Sequence, residues 1–311
     1  MNIQTILWPT DFSDDSRHAL EHAVAIARWY SARIVALHAY SPVMMEVPAL
    51  AGAGAGSDAP DSSRAAAFRV REEVARGRAG AVVDISVDVV DRPAAKAIVE
   101  YASQKPVDLV VIGTHGASGF EHLVLGSVTE KVLRRSNRPV LTVPPRAQVT
   151  SSLPFKRIIC PTDFSSSSLA ALQAAFSLAE EGDAALMLLH VLEDPDENEL
   201  FVPRTYDVHH HRELREQHVT QHLASLVPDS AREWASPRIR VVAGKPYEEI
   251  LRVAHEENAD LIVIGVQGRS PMDLMVFGST TNQVVRRATC PVLTIRQLAA
   301  AGHRRLMASI I

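Results

Sequence analysis

Gly113-x2-Gly116-x9-Gly126-Ser127 and Gly265-x2-Gly268-x9-Gly278-Ser279 are the stretches of this chain whose residue types and spacing could grip an anion. Each follows a short apolar string, "DLVVI" or "DLIVI". A glycine at the end of a buried strand has no Cβ, so a ligand can approach the backbone there. Gly116 is expected to let the turn pass through φ > 0, so that successive N–H groups point at one anion. Ser127 is expected to begin a helix, with Glu130 three residues later completing a capping box. Free N–H groups at a helix N-terminus, beside a glycine turn, attract phosphate through hydrogen bonds and the helix dipole. At about 1.5–3 kcal/mol for each bond to a charged oxygen, three or four would suffice for micromolar binding after ordering costs.

Familiar phosphate motifs do not fit. No Gly-Lys-Ser/Thr opens the helix, so this is not a Walker A loop, and the first strand-to-helix turn lacks Gly-x-Gly-x-x-Gly. That first turn reads "PTDFS" in both halves, placing Asp11 and Asp163 where a carboxylate needs a reason to sit near phosphates. Either it shares a divalent cation with the phosphate oxygens, or it faces the base and sugar. The structural alternative is a first-turn acid that, with Ser13, satisfies amides of the following helix.

Other suggestive residues weigh less. His115 lies inside the first loop, but its counterpart is Gln267, so a chemistry shared by both halves cannot need imidazole; a hydrogen bond to phosphate or to the loop is the expected role. Arg135 stands eight residues beyond Ser127, about 12 Å along a helix, so Arg134 and Arg135 complement the helix C-terminus instead of a ligand at its start. Arg269, where the first half has Ala117, is better placed to reach a phosphate and could make the two sites unequal. His211, His218 and His222 share a helical face at a spacing compatible with zinc or nickel, but a solvated face is the expected reading, as it is for His18 and His22. His38 and His190 end their strands and are expected to satisfy backbone groups.

The elements that must position these residues are repeated as a whole. Pro9 answers Pro161 and Asp11 answers Asp163, an offset of 152 residues that also relates His38 to His190, Asp108 to Asp260 and Gly126 to Gly278. That period is far longer than the ~20–50 residues of solenoid units, so the repeat is a duplicated domain. The joint falls in "PPRAQVTSSLPF", 144–155, which lacks apolar periodicity. Strands are expected near 3–8, 33–39, 82–90, 107–113 and 139–143, alternating with helices whose apolar residues recur at 3.6 spacing, among them Ala19, Leu20, Ala23 and Val24. "DLVVIG" and "DLIVIG" are apolar on both faces, as central strands of a parallel sheet are. The class is doubly wound α/β, twice. Residues 45–63, rich in Gly and Ala, are expected to form a mobile flap.

The totals agree with two domains in 311 residues. A net charge of -4 offers no broad basic surface for nucleic acid. The N-terminus has no leader-like pattern and no apolar run approaches the ~18 residues of a membrane span, so a cytoplasmic location is expected. Cys160 and Cys290, the only two cysteines, are expected to be quiet buried thiols.

"PTDFS" after the first strand, Gly-x2-Gly-x9-Gly-Ser after the fourth, and the endings "RRSNRPVLTVP" and "RRATCPVLTIR" resemble the universal stress protein family in its tandem form, over about residues 1–297. The resemblance implies two open, Rossmann-like parallel sheets of five strands in the order 3-2-1-4-5, with domains at 1–146 and 154–298 and a tail at 299–311. It implies ATP, accompanied by Mg, in the crevice of each domain, and pairing of domains through their last strands. It leaves open whether chains also form a homodimer, and it names no protein partner. By position it assigns Pro9, Thr10, Asp11, Ala39, Gly113, His115, Gly116, Gly126, Ser127 and Val128 to the first crevice. The second takes Pro161, Thr162, Asp163, Val191, Gly265, Gln267, Gly268, Arg269, Gly278, Ser279 and Thr280. Ala39 and Val191 fall beside the adenine, and the glycines and serines around the phosphates. The family's branch that does not bind ATP lacks this glycine pattern, which both halves keep. The expected role is nucleotide-dependent regulation in a stress response; the alternative is an enzyme of the same nucleotide-binding group, a slow ATPase or a nucleotidyl transferase.

Overall fold

Strands that read as apolar on both faces are covered on both faces. In the computed structural model, which describes residues 1–40, 59–76, 83–115, 125–148, 155–193, 208–234, 237–268 and 277–296, the chain divides into one unit built from Asn2–Leu153 and another from Pro154 onward. In the first, the elements run β1 (Thr5–Pro9), α1 (Asp14–Tyr30), β2 (Arg33–Tyr40), α2 (Ala59–Arg76), β3 (Ile85–Asp91), α3 (Ala94–Gln104), β4 (Leu109–Gly113), α4 (Ser127–Arg135) and β5 (Val140–Val143). The second continues with β6 (Arg157–Pro161), α5 (Ser166–Gly182), β7 (Ala185–Leu192), α6 (Val208–Ser225), α7 (Asp229–Trp234), β8 (Arg238–Ala243), α8 (Pro246–Glu256), β9 (Leu261–Gly265), α9 (Ser279–Arg287) and β10 (Val292–Ile295).

All strand pairings within each unit are parallel. β1 lies between β2 and β4, β3 pairs beyond β2, and β5 pairs beyond β4. The second unit repeats this, with β6 between β7 and β9, β8 beyond β7 and β10 beyond β9. The chain thus leaves β1 toward one side, builds β2 and β3, and returns to β4 on the other. That reversal opens a crevice beyond the carboxyl ends of β1 and β4, and again beyond β6 and β9. Every residue of β1, β4 and β9 is buried, with Ile6, Leu7 and Trp8 fully enclosed. Burying aliphatic side chains such as Ile6 and Leu7 contributes about 1.5–3 kcal/mol each.

Asp108 and Asp260, each just before a central strand, tie neighbouring strands together at their amino ends. Asp108 Oδ2 accepts from the Gln4 and Thr5 amides at 2.8 and 2.9 Å, and the Asp260 carboxylate accepts from the Lys156 and Arg157 amides at 2.8 and 2.9 Å. Asp260→Ala leaves the Lys156 and Arg157 amides without these acceptors. It is expected to lower stability by about 2 kcal/mol, measured by urea unfolding, with little change in the secondary-structure spectrum.

Three sequence expectations meet the described residues here. The flap expected over 45–63 lies outside them as far as 58, but from Ala59 the chain is already α2, so its last residues are helical and not flap. Of the joint at 144–155, residues 149–154 lie outside, as does the tail at 299–311. Cys160 and Cys290 are buried and free, and burial raises both thiols, Cys290 to about 12, which keeps them protonated and unreactive near neutral pH. Among the described residues no helix is long and apolar enough to cross a membrane.

Candidate functional site

Each crevice is walled by the turn after the first strand, the end of the second strand, the start of the helix that precedes the fourth strand, and the segment and helix after the fourth strand. In the first unit, Pro9, Thr10, Asp11, Ala39, Gly113, His115, Gly126, Ser127 and Val128 line a cleft of ≈ 270 Å³. In the second, Pro161, Thr162, Asp163, Val191, Gly265, Gln267, Gly268, Gly278, Ser279 and Thr280 line one of ≈ 380 Å³. The expected site residues that the structure describes therefore gather in the two clefts. Gly116 and Arg269 lie outside the described residues.

The "PTDFS" turn is built by short polar side chains. Thr10 Oγ1 accepts from the Phe12 amide at 3.1 Å, and Asp11 Oδ1 accepts from the Ser13 amide and hydroxyl at 3.1 and 2.5 Å. Ser13 in turn caps α1 by accepting from the Ser16 amide at 3.2 Å. Thr162, Asp163, Ser165 and Ser168 repeat each contact in the second unit. One oxygen of Asp11 thus serves the turn, as the structural alternative expects, while the residue also lines the cleft.

Phe12 and Phe164 sit in the left-handed region, φ 66° and 64°, which costs a bulky residue about 1–2 kcal/mol. Their rings stack against His38 and His190, centroids 4.5 and 4.9 Å apart, and those imidazoles hydrogen-bond through Nδ1 to the Thr10 and Thr162 carbonyls at 2.8 and 2.7 Å. The two strand-end histidines therefore satisfy backbone, as the sequence suggests. In a further contact of each ring the halves differ: Arg69 of α2 lies 4.3 Å over Phe12, whereas His222 of α6 stacks flat on Phe164 at 4.4 Å. His218 and His222 are exposed, as a solvated face requires, whereas His22 on α1 is 2% exposed and departs from that expectation. Among the described residues no group of three His, Cys, Asp or Glu side chains is arranged to hold a metal.

The glycine loops depart from expectation in two ways. A Cβ on Gly113 would stand 2.9 Å from the Asp15 carbonyl oxygen, and one on Gly265 would stand 2.7 Å from Ser167 and the Ser168 amide. These glycines are required by the first turn of α1 or α5 pressing on the strand end, not only by the approach of a ligand. The turn through φ > 0 expected at Gly116 lies outside the described residues. Finally, the capping box fails. Gly126 and Gly278 hold the N-cap positions without a side-chain cap, Ser127 and Ser279 are the first helical residues, and the Glu130 carboxylate pairs with Arg134 at 2.8 Å instead of reaching back.

That last departure matters for chemistry. The amides of Gly126 and Glu130 are taken by the Thr114 and Gly126 carbonyls, and those of Gly278 and Asn282 by Val266 and Gly278. Between them, the first three amides of α4 and α9 have no intrahelical partner. Thr129 and Thr281 donate their hydroxyls back to the carbonyls of Gly113 and Gly265 at 2.8 Å, fixing each helix start beside its strand end. The arrangement can bind an anion at either helix start.

Several lining residues are not among those the sequence singled out. Ala94 and Ile98 of α3, with Pro246 and Ile250 of α8, give each cleft an apolar wall. Applying the offset of 152 to the apolar positions of the third helix would have found them. Arg215 of α6 and Glu193 also line the second cleft, and nothing in the pattern of α6 signals this.

The protein-family model described as "Universal stress protein family" matches this chain twice, over residues 2–144 and 154–296. A universal stress protein from Methanocaldococcus jannaschii is 33% identical over 144 residues, 46% of this chain and 83% of that one. Another from Mycolicibacterium smegmatis is 25% identical over 295 residues, 94% of this chain and 96% of its own. The crystal structure of a universal stress protein from Archaeoglobus fulgidus superposes with a TM-score of 0.66 at 25% identity, covering 95% of this chain and 99% of that one. With the matched segments spanning both units and the clefts described above, the chain belongs to the universal stress protein family and carries that family's domain twice in tandem.

Proposed function

We propose that this protein binds two ATP molecules, one in each cleft, and acts as a nucleotide-dependent regulator of a cytoplasmic stress response. On this reading residues 1–146 and 154–298 are two domains, each with its own five-stranded sheet in the order 3-2-1-4-5. The observation that carries it is the pair of helix starts, α4 and α9, that lack a side-chain cap and whose first amides have no intrahelical partner, each at the wall of a cleft that also holds an apolar face. The amides of Ser127, Val128, Ser279 and Thr280, with the hydroxyls of Ser127, Ser279 and Thr280, suit phosphate oxygens. The apolar wall of Ala39 and Ile98, or of Val191 and Ile250, suits an adenine ring. Asp11 and Asp163, which line the clefts beside the turn they hold, suit the sugar or a Mg ion that accompanies the phosphates.

The test is isothermal titration calorimetry of the whole chain with MgATP, beside a mass spectrum under native conditions. Two ATP per chain with micromolar dissociation constants are expected. Absence of heat and of a nucleotide-bound species at about 1 mM ATP, which corresponds to less than ~4 kcal/mol of binding, overturns the reading.

A further inference from the structure

The two glycine loops are fastened to their neighbouring helices by different chemistry. In the second unit the fastening is neutral: Ser167 Oγ donates to the Gln267 carbonyl, and the Gln267 amide donates to Ser167 Oγ at 3.3 Å. At the corresponding positions the first unit has Asp15 and His115, an acid and an imidazole. His115 Nδ1 stands 2.9 Å from Thr114 Oγ1 and 3.5 Å from Asp15 Oδ2. Among the described residues its Nε2 is enclosed and has no hydrogen-bond partner.

That orphaned nitrogen sets the cost of charging the ring. A neutral imidazole carries one N–H, and the group on Nδ1 already has two oxygens to meet. An imidazolium carries an N–H on both nitrogens, and the one on Nε2 would be enclosed without an acceptor, which is costly. Around the ring, Asp15 of α1 favours the charged form, Asp11 on the turn lines the same cleft, and the N-terminal dipole of α4 opposes it. A phosphate group in the cleft adds negative charge and an acceptor oxygen together.

We propose that nucleotide binding in the first cleft is coupled to uptake of a proton by His115, and that binding in the second cleft is not. The inference rests on the clefts being nucleotide sites. The proton comes from solvent, adds to the imidazole lone pair and breaks no other bond. Imidazole is the side chain whose charge ordinarily changes between pH 5 and 8. By linkage, the first cleft gains ATP affinity as pH falls through that range, while the second, with Gln267 and Ser167, lacks this term. His115 is thereby a positioning residue that makes one half of the tandem pair responsive to pH.

The measurement is calorimetry of the full chain with ATP at about pH 7 in several buffers of different ionisation enthalpy. The slope of observed heat against ionisation enthalpy counts protons taken up. The wild-type chain is expected to exceed His115→Gln by a sizeable fraction of one proton per chain, with ATP's own ionisation common to both. Equal slopes, with two ATP bound by each chain, overturn the coupling and leave the cleft assignment intact. No ATP bound by the wild-type chain overturns the cleft assignment, and the coupling with it. If His115→Gln loses the first site outright, Asp15→Asn decides: a smaller slope supports the coupling, and a wild-type slope overturns it.

Discussion

Replacing both N-cap glycines by aspartate, Gly126→Asp with Gly278→Asp, is expected to weaken ATP binding at least about a hundredfold while leaving the chain folded and at least as helical. Both positions have ordinary extended dihedrals, φ -56° with ψ 135° and φ -57° with ψ 139°, which any residue adopts. Aspartate is among the best N-cap residues and would accept from the second or third amide of α4 and α9. Those are the amides offered to phosphate, so the same change that satisfies the helix removes the site. Two charge-assisted bonds at about 1.5–3 kcal/mol each account for the hundredfold, and the added carboxylate repels the phosphates further. The new Cβ would meet the Thr114 or Val266 carbonyl oxygen at 3.3 Å, a tight contact that requires a shift of a few tenths of an ångström. Calorimetry reads the affinity and thermal unfolding reads the fold. Unchanged affinity would put the ligand elsewhere; a large fall in melting temperature would mean that the close contact outweighs the cap. The single substitutions separate the sites, each removing one ATP from the stoichiometry.

What could be read from the sequence, and what could not, divides along the range of the interactions. "DLVVIG" announces a buried parallel strand because its burial depends on its own residue types, and the repeat of 152 residues carries the reading to the second half. The cleft-lining glycines, serines and aspartates were legible for the same reason, since local spacing puts them at strand ends and helix starts. Contacts between elements distant in the chain were not. Gly113 reads as a place for a ligand, yet the space beside it belongs to the backbone of Asp15, about a hundred residues earlier. The capping box failed by one residue: Ser-x-x-Glu is present, but Gly126 already supplies the carbonyl for the Glu130 amide and shifts the helix start. On α6, His222 stacks on Phe164 and Arg215 lines the cleft, contacts set by how that helix lies on its own unit. Its sequence carries only a weak apolar stripe from which to infer them.

Acid should loosen the first unit through His22. This histidine lies on the buried side of α1, 2% exposed, edge-on to His18 with ring centroids 5.1 Å apart, and its Nε2 has no partner. Burial, and secondarily the neighbouring His18, lower its pKa from 6.5 to about 4. The sign follows from proton counts. Between those two values the unfolded chain holds a proton on His22 that the folded chain refuses, so stability is fully present above about pH 6.5 and is lost as pH falls toward 4. A shift of that size corresponds to about 3 kcal/mol over the whole window and about 2 kcal/mol by pH 5. His22→Leu removes both the titration and the enclosed nitrogen. Urea unfolding at pH 7 and pH 5 should show the wild-type chain losing about 2 kcal/mol more than the variant between the two, because the remaining ionisable groups are common to both. Equal losses would mean that the imidazole is reached by water or by a partner before the fold gives way, and that burial does not hold it neutral.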